Sequence, residues 1–132
     1  MTPLLTLVAA MAIITWLLLL IASMVDPKAW TLSGLQFAFG NRSDPTTPSA
    51  FAGRAERTAR NTLENFVLFA AIALVAHASG VTDPRVLMGA QLFFYARLVY
   101  IPLYYIGIPY LRTASWTISI IGLGIMLSAL FI

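Results

Sequence analysis

The chain has 132 residues, 60% of them hydrophobic and only 10% charged. That balance excludes an ordinary soluble domain and indicates a single integral membrane domain over residues 1–132. The net charge of +3 is unevenly placed and bears on topology rather than on nucleic acid, while the lack of cysteine excludes disulfides, thiolate metal sites and a protein thiol nucleophile.

The first apolar run, Leu4 to Val25, is long enough to cross a bilayer as a helix of roughly 33 Å. The first charge is Asp26, so no basic segment precedes the run, which reads as a retained span rather than a signal peptide. Asp26 and Pro27 end it. Residues 26–50 are punctuated by Pro27, Gly34, Gly40, Asn41, Asp44, Pro45 and Pro48 and read as a loop. Trp30, Leu35, Phe37 and Phe39 would place that loop on the membrane interface or under the spans. A second helix is predicted from Ser49, a capping residue, to Ser79, with Gly80 and Pro84 as stops. At about 45 Å it exceeds the hydrocarbon core, so residues 63–79 span and the basic end projects into water. The turn at 80–84 is short and makes an antiparallel hairpin with a third helix over 85–105, in which Pro102 allows a kink. Gly107 and Pro109 loosen its end, Arg112 follows in the connection, and the last span covers 113–132. Ser115, Ser119, Gly122, Gly124 and Ser128 mark close helix packing on that span. The expected fold class is all-α, an integral membrane four-helix bundle.

Basic residues set the orientation. Lys28, Arg42, Arg54, Arg57 and Arg60 lie between spans one and two, and Arg112 between three and four. The positive-inside rule then puts both termini outside the cytoplasm.

Two polar ladders stand out, because a charge at the bilayer centre costs at least about 2.5–3.5 kcal/mol. Arg54, Arg57, Arg60, Asn61 and Glu64 share a stripe roughly 120° wide on helix two, and Arg97, Tyr100 and Tyr104 share a face of helix three. Counted from the turn, Glu64 and Arg97 both sit about 22–27 Å away, which allows a pair between them. A pocket built this way would favour an anionic, partly peptidic ligand gripped by guanidinium groups. Plainer readings compete with it. Arg54 and Arg57 could serve as topology anchors, Glu64 and Arg97 as a structural ion pair, and Tyr95, Tyr105 and Tyr110 as packing or interface residues. His77 stands alone and makes no metal cluster, so no metal is expected.

The stretch Arg54 to Phe69, RAERTARNTLENFVLF, and the stretch Ala96 to Trp116, ARLVYIPLYYIGIPYLRTASW, together resemble the MAPEG family, the membrane-associated proteins in eicosanoid and glutathione metabolism. GNRSDP at 40–45 resembles bacterial members, which implies a bacterial inner-membrane protein. The resemblance implies a homotrimer that binds glutathione between neighbouring protomers near the cytoplasmic face. It implies glutathione-binding roles for Arg57, Arg60, Asn61 and Glu64, for Arg97, Tyr100 and Tyr104, and for Arg42 given by a neighbour. Arg112 matches the family's late arginine, credited with stabilising the thiolate. Several members carry a tyrosine four residues further on, where this chain has Trp116, an indole without a phenolic hydroxyl. The expected activity is glutathione-dependent conjugation or peroxide reduction of a hydrophobic molecule or lipid arriving through the bilayer. The alternative is a non-catalytic structural or accessory trimer. A small multidrug exporter would need an acidic residue in span one, which has none.

Overall fold

The computed structural model describes residues 1–25, 31–39 and 50–132. Their helices are α1 (Pro3–Val25), α2 (Leu32–Phe39), α3 (Ala50–Ala78), α4 (Pro84–Ile106) and α5 (Pro109–Phe131). All but α2 are long and apolar enough to cross a membrane, so the chain is an all-helical integral membrane protein built on four spans.

Each helix forms for a local reason. α1 is apolar almost throughout, and the buried Thr15 hydroxyl donates to Met11 O at 2.7 Å, so it needs no partner outside its own helix. α4 opens on Asp83, whose carboxylate accepts from Arg85 N at 2.9 Å, with Pro84 in the first turn. It runs through Pro102 as one helix and closes on Gly107 at φ 87°, a left-handed residue whose N–H donates to Leu103 O.

Two expectations need correction. The stretch 26–50 is not all loop, because α2 lies within it. Thr31 Oγ1 accepts from Gly34 N at 3.0 Å, a capping bond that starts the helix, and Leu32, Leu35 and Phe39 recur at helical spacing. The last span starts at Pro109 rather than 113. Proline suits the first helical position, where its missing N–H costs nothing, so a residue read as a breaker is a starter. Arg112 therefore belongs to the first turns of α5, not to a connection.

α1 packs chiefly on α3 and α4 on α5. The α4–α5 approach is the closest. A Cβ on Gly122 would lie 2.7 Å from Gly89 O and 2.8 Å from Phe93 N, so the two backbones touch. Gly124, read from the sequence as another packing residue, has nothing within 4 Å of a Cβ position among the described residues. Arg85 Nη1 donates to Ser128 Oγ at 3.2 Å and ties the start of α4 to the end of α5.

The interior is divided along its length. Toward the α3–α4 turn it is apolar: Phe69 stacks on Phe93 at 4.4 Å, with Met11, Ala73, Ala90, Leu123 and Met126 around them. Toward the far end the buried polar side chains include Thr58, Thr62, Asn65, Arg97, Tyr100, Ser115 and Ser119, set among small alanines. The apolar half holds the bundle together by burial, and the polar half is where chemistry has room.

Candidate functional site

The buried stripe of α3 is Ala52, Ala55, Ala59, Thr62, Phe69, Ala73 and Ala76, with Thr58 and Asn65 beside it. Small side chains let α4 and α5 come close. The charged side chains of α3 lie off this stripe, which decides what each can reach.

Arg97 is 0% exposed and the largest fully buried side chain. Its Nη2 donates to Thr62 Oγ1 at 2.8 Å, and its guanidinium lies 4.0 Å from the Tyr100 ring centroid. Nε and Nη1 have no partner among the described residues. Thr62 and Glu64 are two residues apart, about 200° around a helix, so the face that meets Arg97 cannot also present Glu64. Arg97 reaches Thr62, two residues from Glu64, but the structure does not bring the two charges together. Glu64 is exposed and has no ion-pair partner among the described residues.

The other ladder members separate likewise. Arg54 Nε donates to Tyr105 O at 3.0 Å, a cation on the last turn of α4, where the helix dipole favours it. Arg57 Nε donates to the Tyr104 hydroxyl at 3.1 Å. Arg60 pairs with Glu56 one turn back and lines an apolar groove with Leu19 and Ala22 of α1. Arg60 thus faces away from Tyr100. Arg42 lies outside the described residues.

What the structure does assemble is a chain of cations and rings. Arg97 stacks on Tyr100, Tyr100 meets Tyr104 edge-on at 5.5 Å, and Arg112 lies 4.4 Å from the Tyr104 ring centroid. Tyr104 therefore holds Arg57 on its hydroxyl and Arg112 on its ring. Arg112, near the N-terminus of α5, is placed against the helix dipole, so these contacts keep it where helix electrostatics alone would not. Beside it opens a cavity of about 130 Å³ lined by Asn61, Tyr100, Arg112, Thr113 and Trp116.

None of Arg57, Arg97 and Arg112 has a carboxylate within ion-pair distance among the described residues. The unneutralised Arg112 on the cavity wall draws an anion, and a thiolate there would feel both the guanidinium and the positive end of α5. Thr62 and Thr113 escaped the sequence reading. Thr62 could have been found from the seven-residue repeat of small side chains, Ala52, Ala55, Ala59, Thr62, which marks the buried face. Thr113 carries no comparable signal.

Fold and site together define a four-span membrane protein with a cation–aromatic pocket near one end of its bundle. The chain matches the MAPEG family model over residues 3–132 and so belongs to the MAPEG family. No curated protein matches it.

Proposed function

We propose that the protein is a membrane glutathione transferase or peroxidase that works as a homotrimer on hydrophobic electrophiles or lipid hydroperoxides. The carrying observation is the cavity at Arg112, cationic and free of carboxylate among the described residues. Family membership supports glutathione as the cosubstrate.

A free thiol has a pKa near 8.5, so a neighbouring guanidinium raises the fraction present as nucleophilic thiolate at neutral pH. Arg112 takes that role. Asn61, Tyr100, Tyr104 and Arg57 bind the rest of the tripeptide, and Arg97 supports Tyr100 from behind. The protomer's cavity is smaller than the roughly 150 Å³ that holds a benzene ring, at about 130 Å³. It accommodates a thiol end, not a whole tripeptide. The peptide's charged ends must lie along the exposed face of α3, near Glu64 and Arg60, with a neighbouring protomer and its Arg42 closing the site. Glu64 supports this assembly. It lies about 21 Å from the turn end of α3, within a hydrocarbon core of about 30 Å, where an exposed carboxylate needs protein cover. The distribution of basic residues favours a cytoplasmic far end with both termini outside, and the likeness of GNRSDP at 40–45 to bacterial members supports a bacterial inner membrane.

The full burial of Arg97 on Thr62 suits the competing reading, in which the polar residues only hold an accessory trimer together. Calorimetric titration of glutathione into detergent-solubilised protein separates the two, with cross-linking run on the same samples. The expected result is binding by the wild type and at least about tenfold weaker binding by Arg112→Ala, with the same cross-linked oligomer. Absence of binding by the wild type, with assembly lost in Glu64→Ala, would establish the accessory reading instead.

A further inference from the structure

Trp116 sits one helical turn beyond Arg112 on α5, so the two side chains share a face, and both line the cavity. Its backbone is well held, since its carbonyl accepts from Ser119 Oγ at 2.6 Å. Its ring is not. The side chain is 39% exposed, and among the described residues the indole makes neither a ring contact nor a hydrogen bond. An unstacked aromatic face beside an unneutralised guanidinium is a place for a flat molecule that also carries negative charge or an electron-rich oxygen.

We propose that Trp116 is the specificity-determining wall of this cavity, its indole face receiving flat, conjugated electrophiles such as α,β-unsaturated ketones. The proposal deepens the transferase reading and rests on it for the thiol. Glutathione loses its thiol proton to water, and the thiolate sulfur forms a bond to the β-carbon of the enone. The carbon–carbon π pair moves to the carbonyl oxygen as an enolate, which Arg112 attracts. Water then returns a proton to the α-carbon, so an S–H has added across a double bond with no change in overall oxidation state. Nothing in this sequence requires an acid from the wall. Reduction of a hydroperoxide, by contrast, expels an alkoxide or hydroxide that profits from a proton donor at the same place, and an indole N–H holds its proton. Trp116 therefore biases the site toward conjugate addition.

Two measurements test this. In the first, Trp16→Phe and Trp30→Phe leave Trp116 as the only tryptophan, and its fluorescence is followed without thiol. The probes are trans-4-phenyl-3-buten-2-one and its saturated counterpart, 4-phenyl-2-butanone. Saturable quenching by the flat ketone, at a concentration at least about threefold lower than for the saturated one, is expected; a protein retaining only Trp16 should show no saturation. In the second, kcat/KM is compared for that enone and for tert-butyl hydroperoxide, which has no flat face, with glutathione. Trp116→Leu should lower the enone value about tenfold, mainly through KM, and Trp116→Phe should keep it within about threefold. The enone loss in Trp116→Leu should exceed the hydroperoxide loss by at least about threefold. Absence of saturable quenching, or an equal loss on both substrates, would overturn the proposal. A wild type with no glutathione turnover would defeat the transferase reading, while the quenching experiment would still decide whether Trp116 receives flat ligands.

Discussion

Asp83 serves two partners at the α3–α4 turn. One carboxylate oxygen accepts from Arg85 N and caps α4, and both oxygens accept from the Arg85 guanidinium, with Nη2 at 2.8 Å. The side-chain bonds first, and the backbone bond second, hold its pKa below the ordinary 3.8. A depressed carboxylate pKa stabilises the folded state fully above the ordinary value and ceases to as pH falls through the lower folded one. Thermal unfolding in detergent should thus show an acid loss of stability below pH 3.8 that Asp83→Asn reduces. Asparagine keeps an oxygen for the cap but has no charge to titrate. An unchanged acid slope in the variant would remove this pair from the account. At this scale the sequence was partly readable. Spacing alone put Arg97, Tyr100 and Tyr104 on one face and set their depth. Azimuth was not readable between helices: on the depth count Glu64 is nearer Arg97 in height than Thr62 by about 3 Å, and only packing of the small-residue stripe turns Thr62 inward. The i, i+4 pair of Glu56 and Arg60 was within reach of sequence rules but was hidden by reading Arg60 as part of the ligand stripe.

The elements owe their positions to a few special residues. Gly89 and Gly122 bring α4 and α5 into backbone contact, which in turn sets Arg112 over Tyr104. A methyl group at 122 meets backbone atoms, which cannot move aside as a flexible side chain would. Gly122→Ala should destabilise the protein by about 1–3 kcal/mol. Gly124→Ala, two residues on and clear of the other described residues, should be neutral or stabilising by up to about 1 kcal/mol through helix propensity. Unfolding in detergent–denaturant mixtures compares the two, and equal effects would contradict the close approach. Helix ends were the least readable part of the sequence, for a physical reason. Pro109 reads as a stop but starts α5, because the left-handed Gly107 before it has already closed α4, which spacing does not reveal. That boundary matters to the site, since it places Arg112 within the field of the α5 N-terminus.

Across the whole molecule, an apolar half toward the α3–α4 turn anchors a polar half that carries the pocket. Composition and run lengths made the four spans legible, and the antiparallel hairpin made the levels legible. The central claim is that Arg112 holds a glutathione thiolate in the cavity beside Tyr100, Asn61 and Trp116. Ultraviolet difference absorbance of the thiolate, recorded as glutathione is titrated into the detergent-solubilised protein across neutral pH, tests it most directly. The account expects a saturable thiolate signal in the wild type, at a pH where free glutathione is mostly thiol, and its loss in Arg112→Ala. No signal in the wild type, or the same signal in Arg112→Ala, would contradict it.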